Sequence, residues 1–372
     1  MSATAPASSA PPTSGPLARL VAPLIDPSVF DFWAGLVNPA WSWARPLARV
    51  VARRIEALDT VTLVLQPNRH CGKVKPGQHI NVSAEVDGRR TTRSYSVTNV
   101  PGRDGRIEIT IKRVEGGKLS THLCRDVRAG DVVELGLSFG DMTLPVHPQG
   151  QWLFLAAGSG ITPLMSLTRA LAAQNMPVDL TLVYWVKTRA ELCFVRELRA
   201  LAASQPRFKL HLVLTHEADR LADEAQGFIS HEQLASLVGA LSGKQVFACG
   251  PGGFVDTARA LTAGVARSFM AEGFTPSAPA STDPAAITTV RVQLLKSGRA
   301  LDVSSGQSLL VALEQQGLNP ASGCRMGICH TCVCTKHSGT TQDINTGDQD
   351  TEPDTTVRLC VSRACTDITL DI

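Results

Sequence analysis

Over residues 46–148, apolar and polar positions alternate with a period of two, most clearly at 60–65, 80–86 and 107–114. This is the pattern of strands with one buried face. Asp87-Gly88 separates two such runs and predicts a two-residue hairpin turn. Short strands with little helix between them predict a small antiparallel β-barrel. The rhythm changes over 149–275, where an apolar strand at 152–157 leads through Gly158-Ser159-Gly160 into a helix. Strands at 180–186, 209–214 and 245–249 then alternate with helical stretches such as 191–203. Ser230 followed by Gln233 predicts a capping box opening a helix that runs to Leu241. Strand–helix alternation predicts a parallel α/β sheet. Residues 276–288 have linker composition. The last unit, 289–372, reads as a hairpin over 290–303, a helix at 307–316 and a final strand at 367–371, a small α+β unit.

A leader, 1–45, precedes the barrel. Its first 16 residues are Ala, Ser, Pro and Thr with little to bury, and are predicted to be disordered. Residues 17–45 are amphipathic and carry Phe30, Phe32, Trp33, Trp41 and Trp43. Two expectations stand side by side for these aromatics: packing on the barrel, or resting on a partner or membrane interface.

Composition narrows the classes. A chain of 372 residues suits two or three domains. A net charge of +3 gives no electrostatic case for nucleic acid. No apolar run is long enough to span a bilayer, and the N-terminus lacks a secretory pattern. The expected location is the cytoplasm, with the inner face of the membrane as the alternative. The ten cysteines crowd toward the C-terminus. That distribution fits metal binding in a reducing compartment better than a disulfide framework.

Cys324, Cys329 and Cys332 are spaced with four and then two residues between them, and Cys360 follows at a distance. This is the plant-type [2Fe–2S] spacing. Three thiolates on one tight loop wrap a small inorganic core and the distant one closes the cage. Gly323 and Gly327 let backbone N–H groups approach the sulfurs. Zinc is the competing reading, although zinc sites usually pair close cysteines twice or add histidines. Cys334 and Cys365 read as buried small residues outside the ligand set.

Four further motifs carry a family resemblance. Arg93-Ser94-Tyr95-Ser96 resembles the flavin signature of the ferredoxin–NADP reductase superfamily, and Gly116-Gly117-Lys118-Leu119-Ser120 resembles its second flavin motif. Gly158-Ser159-Gly160-Ile161-Thr162-Pro163 resembles its nucleotide loop, and Cys249-Gly250-Pro251 its late nicotinamide motif. The resemblance covers residues 46–372. It implies a flavin barrel, a nucleotide-binding α/β domain and a β-grasp-like ferredoxin domain. It implies FAD, with FMN as the alternative, a [2Fe–2S] cluster and a nicotinamide nucleotide.

The residue chemistry agrees. Arg93 can neutralise phosphate, Tyr95 can lie against an isoalloxazine ring, and Ser96 can hydrogen-bond its reactive edge. Gly117, Lys118, Leu119 and Ser120 open a helix whose N-terminus favours phosphate. Gly158 and Gly160, with Thr162 and Pro163 behind them, let backbone approach a pyrophosphate. By resemblance, Cys249, Gly250 and Pro251 lie near the nicotinamide, and Ser96 and Cys249 are the residues expected at the chemistry. Lys187 and Arg189 at the end of the second strand suit a 2′-phosphate and favour NADPH over NADH. Asp179 falls at that strand's start. Family members often cover the flavin with a closing aromatic, and here the unit ends at Glu272-Gly273-Phe274.

The expected activity is hydride transfer from the nicotinamide to the flavin, then transfer of single electrons through the cluster to a metal enzyme that activates oxygen. Residues 37–42, Val-Asn-Pro-Ala-Trp-Ser, resemble the leader of reductases serving membrane-bound fatty acyl desaturases. A desaturase is therefore the first expected acceptor, with peripheral membrane association. A soluble ring-hydroxylating or diiron oxygenase is the alternative. An electron carrier or redox sensor without turnover is the reading from another class.

Overall fold

The structure, a computed structural model, describes residues 26–274 and 287–372. The disordered stretch expected at 1–16 and most of the linker fall outside the described residues. A short helix, α1 (Pro27–Val37), opens the described part, capped by Asp26, which accepts from Ser28 N at 2.8 Å. Asp31 ties α1 to the chain beyond it, accepting from Trp43 N at 2.6 Å and Ser42 Oγ at 2.9 Å. Among the leader's aromatics, Phe30 and Trp43 are half-buried and meet edge-on at 5.4 Å. Ala40 and Ser42 are buried, whereas Phe32, Trp33, Leu36, Val37 and Trp41 are exposed.

Six antiparallel strands follow: β1 (Leu47–Ala57), β2 (Thr60–Pro67), β3 (His79–Val86), β4 (Arg89–Ser96), β5 (Ile107–Lys112) and β6 (Val132–Phe139). Their order is β4-β3-β6-β1-β2-β5, and a bridge between Val97 and Ile109 joins the two edges. The sheet thus curls into the predicted barrel around Val50, Leu63, Leu65, Ile80, Val82, Ile109 and Ile111. Asp87 and Gly88 both have positive φ, 53° and 68°, as the two-residue hairpin requires. The helix α2 (Lys118–Arg125) sinks Leu119 and Leu123 into the same core.

The second sheet contains β7 (Gln151–Ala157), β8 (Asp179–Val186), β9 (Phe208–Leu214), β10 (Glu224–Gln226), β11 (Lys244–Gly250) and β12 (Ser268–Gly273). All its pairs are parallel, in the order β10-β9-β8-β7-β11-β12. Its helices are α3 (Ile161–Ala172), α4 (Val195–Ser204), α5 (His231–Val238) and α6 (Gly252–Thr262). Two boundaries differ from the sequence expectation. α4 begins four residues after 191 because Phe194 turns left-handed at φ 58°. The capping box forms, with Ser230 Oγ accepting from Gln233 N at 3.1 Å, but α5 stops at Val238 because Gly239 takes φ 72°.

The third unit pairs β13 (Thr289–Leu294) with β14 (Arg299–Ser304) and packs α7 (Leu309–Gln315) on them. It continues through β15 (Val333–Ser338), β16 (Thr341–Asp343), β17 (Gln349–Asp350), β18 (Thr355–Arg358), β19 (Ser362–Ala364) and β20 (Ile368–Leu370). A mixed sheet runs β14-β13-β20-β15-β18, and β17-β16-β19 form a small second one. Lys336, fully buried, joins them through Nζ to Asp350 O at 2.7 Å. No helix among the described residues is long and apolar enough to cross a membrane.

The barrel is fastened to the parallel sheet. Gly77 N donates to Ser166 Oγ at 2.8 Å, and a Cβ at Gly77 would lie 1.9 Å from Met142 O. Arg169 Nη1 donates to Thr98 O at 2.7 Å, and Phe194 N to Glu56 Oε1 at 3.0 Å.

Candidate functional site

The β3–β4 hairpin organises the flavin side. Its register sets His79 opposite Ser96, Ile80 opposite Tyr95, Asn81 opposite Ser94 and Val82 opposite Arg93. Arg93, Gly116, Gly117 and Lys118 line an open cleft of about 1440 Å³ that also reaches Arg325 and Thr331 of the cluster unit. Burial pulls the Arg93 guanidinium below its usual value, helped by nearby Arg325. Such a cation has lost water and has most to gain from an anion. Gly117 caps α2 without a side chain, which leaves backbone N–H groups at the helix start available to phosphate. Burial raises the Tyr95 phenol, so it stays neutral. These residues fit a flavin diphosphate.

Four predicted flavin contacts lie outside the cleft lining: Tyr95 packs against the barrel core, Ser96 is buried beside His79, and Leu119 and Ser120 turn inward. Leu119 is in the barrel core, and Ser120 Oγ is spent on the turn, accepting from Val114 N at 3.2 Å. Their place in the motif is structural: leucine anchors the helix and serine shapes the loop that presents Gly117 and Lys118.

Nucleotide motifs gather at one edge of the parallel sheet. The chain runs from β7 outward through β8 and β9, then returns to place β11 on the other side of β7. This reversal is the switch point where open α/β sheets bind ligands beyond the strand ends. Gly158–Gly160 follows β7, and Gly250 with Pro251 ends β11, so both motifs flank it. A Cβ on Gly160 would lie 2.0 Å from Cys249 O, and one on Gly250 would lie 2.8 Å from the Ala157 Cβ. Thr162 Oγ1 donates to Ser159 O at 2.9 Å, and Thr162 and Pro163 are buried in the first turn of α3. They hold the loop's shape while Gly158 lies on the open side.

The Cys249 side chain is fully buried with its Sγ 3.4 Å from Met142 Sδ. Burial pushes its thiol well above the usual range, so it is a neutral thiol and not a thiolate. Asp179 starts β8, as expected, and pairs with Arg207 at 2.8 Å. Lys187 is exposed beyond the end of β8. Arg189 is different from the free cation expected for a 2′-phosphate. It is held by Glu217 at 2.6 Å and Glu224 at 2.7 Å, because the turn after β8 packs against the turns after β9. That clasp holds the Glu224 carboxyl at about 2, well below the usual carboxylate value.

The four predicted cluster ligands converge. Cys332 and Cys360 sulfurs lie 3.2 Å apart as free thiols. Backbone N–H groups of Met326 and Cys329 point at Cys324 Sγ, each at 3.3 Å, and Cys324 N points at Cys329 Sγ at 3.2 Å. Thiolates met by backbone donors are the donor set a [2Fe–2S] core needs. A Cβ on Gly323 would lie 2.9 Å from Cys329 Sγ, so glycine is required there. Cys334 packs against the core of this unit, and burial pushes its thiol to about 12. Cys334 and Cys365 are both half-buried, less enclosed than expected from the sequence.

Sequence reasoning missed His79, Phe139 and Asn81, and gave Glu272 and Phe274 only as the end of the nucleotide unit. His79 Nε2 lies 2.6 Å from Glu272 Oε2, and His79 Nδ1 lies 3.1 Å from Ser96 Oγ. Phe139 stacks on His79 at 5.6 Å and Phe274 meets it edge-on at 6.2 Å. The third missed residue is Asn81. It accepts from Ser94 Oγ at 2.5 Å and donates to Thr331 Oγ1, inside the cluster loop, at 3.3 Å. His79 and Asn81 were within reach of the sequence, since counting back from Asp87-Gly88 pairs them with Ser96 and Ser94.

Flavin, nucleotide and cluster sites strung along one chain define a flavin-dependent electron-transfer oxidoreductase. Residues 48–143 match the oxidoreductase FAD-binding domain family, 154–260 the oxidoreductase NAD-binding domain family, and 292–365 the 2Fe-2S iron-sulfur cluster binding domain family. The chain is 34% identical to an NADPH oxidoreductase of Mycobacterium tuberculosis, over 96% of this chain and 92% of that one. It is 27% identical to the glycine betaine monooxygenase reductase subunit of Chromohalobacter salexigens, over 89% of this chain and 96% of that one. Phthalate dioxygenase reductase superimposes with a TM-score of 0.57 at 25% identity, over 88% of this chain and 97% of that one. The chain belongs to the flavin- and nicotinamide-dependent ferredoxin reductases that carry a C-terminal 2Fe–2S domain. It is an oxidoreductase whose cofactors are FAD, a nicotinamide nucleotide and a [2Fe–2S] cluster.

Proposed function

We propose that this chain takes hydride from NADPH and hands electrons singly to an oxygenase component that activates oxygen at a metal centre. One observation carries the reading. The β3–β4 hairpin meets the nucleotide domain at His79, which Ser96 hydrogen-bonds, and meets the cluster loop two residues along at Asn81, which Ser94 hydrogen-bonds. A ring lying on that hairpin has the nucleotide domain on one side and the cluster on the other. Bound flavin accepts an electron pair and releases it one electron at a time, and the cluster carries one at a time.

In this reading the chain's residues place and tune. Arg93 and the start of α2 hold the diphosphate through Gly117 and Lys118. Tyr95 flanks the ring and Ser96 bonds its reactive edge. Cys249, neutral and buried, shapes the place where nicotinamide meets flavin and moves no proton. Gly158, Gly160, Gly250 and Pro251 let the nucleotide approach backbone. Lys187 reads the 2′-phosphate, with Arg189 recruited only if its carboxylate clasp opens. The functional units are 46–148, 149–275 and 289–372. The relative named as a monooxygenase reductase subunit supports an oxygenase acceptor.

A membrane-bound desaturase is the second reading. The exposed apolar side chains of α1 favour it, while the named relatives do not. Coupled NADPH oxidation and product formation, measured with soluble oxygenase components and with a desaturase in vesicles, separate the two. Deleting residues 1–44 adds a check. Loss of coupling to the vesicle-bound acceptor alone, with ferricyanide reduction unchanged, selects the second reading. No coupling to either acceptor overturns both.

A further inference from the structure

Ser96, His79 and Glu272 form a buried hydrogen-bonded chain that the cofactor assignments leave unexplained. His79 and Glu272 side chains are 3% and 8% exposed, and 2.6 Å separates Nε2 from Oε2. They come from the flavin barrel and from β12 of the nucleotide sheet, so the chain exists only when the two domains are docked. Around it lie Phe139 and Phe274, the neutral Cys249 thiol opposite Glu272 on the neighbouring strand, and Gly140. A Cβ on Gly140 would lie 2.9 Å from the imidazole.

The direction of these bonds follows from donor counting. A carboxylate only accepts, so Nε2 carries the proton toward Glu272. In the neutral imidazole that single ring proton leaves Nδ1 as an acceptor. Among the described residues the donor at Nδ1 is the Ser96 hydroxyl at 3.1 Å, and one proton on the ring satisfies both nitrogens. Ser96 has a single proton, and it is committed to His79. What Ser96 offers to a flavin edge is therefore lone pairs.

We infer that His79 is a positioning residue that, held by Glu272, turns the Ser96 hydroxyl so that it accepts a hydrogen bond from the flavin N5–H. This rests on the placement of Ser96 at the reactive ring edge. An acceptor at N5 favours the reduced, N5-protonated flavin over the oxidised one, whose bare N5 needs a donor. The chain thus biases the bound flavin toward holding the electrons delivered by hydride.

The test is the midpoint potential of the bound flavin, measured by spectroelectrochemistry in the full-length holoprotein. His79→Phe keeps a ring to stack on Phe139 and removes both ring nitrogens. It frees Ser96 to donate. The expected result is a tenfold fall in the reduction equilibrium constant, about 30 mV for a two-electron couple. His79→Leu removes the same ring nitrogens with no new polar group and should shift the potential in the same direction, which keeps the test open if His79→Phe folds poorly. In a Ser96→Ala background, His79→Phe should have no further effect. An unchanged potential in His79→Phe, or an equal shift with and without Ser96, overturns the inference. A Ser96→Ala protein whose flavin spectrum and potential both match the wild type overturns the placement of Ser96 itself.

Discussion

Single residues carry distinct loads, and their losses are separable. Cys329 is one of four converging sulfurs and its Sγ receives the Cys324 N–H. Cys329→Ser should keep FAD and its bleaching by NADPH, and keep ferricyanide reduction. It should lose the cluster's visible bands and electron paramagnetic resonance signal, and with them reduction of one-electron acceptors. Cytochrome reduction that survives unchanged would take the cluster off the path. Glu224 makes a different prediction. Its carboxyl is held at about 2 against a usual 4.5, chiefly by its hydrogen bonds to Arg189. A depressed carboxylate stabilises the fold above the unfolded value and loses that contribution as pH falls through the folded one. Chemical denaturation should show wild type more stable than Glu224→Gln at neutral pH, with the difference shrinking from pH 4.5 toward pH 2. A difference that stays constant across that window would contradict the clasp. The cluster ligands were legible because spacing alone names them. The ion pairs of Arg189 were not legible because its partners, Glu217 and Glu224, lie 28 and 35 residues away.

At the scale of elements, local signals carried furthest where geometry is set by two residues. Asp87-Gly88 defined a hairpin, and the hairpin defined which residues face Ser94 and Ser96. Helix ends were less legible: α4 and α5 both shift at residues that take positive φ, Phe194 and Gly239. The side-chain directions within the second flavin motif were also hidden, since an apolar leucine in a short helix belongs to the core by burial. The turn after β7 gives a prediction at this scale. A methyl group on Gly160 would meet the Cys249 carbonyl, a backbone group that cannot swing aside. Gly160→Ala should cost about 1–3 kcal/mol by overpacking and weaken nucleotide binding. Gly253→Ala, with open space around it, should leave both unchanged. Denaturant midpoints and NADPH titrations of the two variants check this, and equal behaviour would contradict the tight strand-to-turn contact.

Across the whole molecule, the parallel sheet and the cluster loop both meet the barrel along one hairpin. The sequence showed three units in order, but not that His79 reaches Glu272 across 193 residues or Asn81 reaches Thr331 across 250. Those contacts depend on how domains dock, which no local pattern encodes. In the proposed function these contacts set the flavin hairpin between the unit that takes electrons in pairs and the unit that releases them singly. The direct test is anaerobic titration of the purified holoprotein with NADPH, followed by visible and electron paramagnetic resonance spectra. The account predicts that the flavin bleaches and a reduced [2Fe–2S] signal appears with it, in wild type but not in Cys329→Ser. Flavin reduction in wild type with no cluster signal would contradict it.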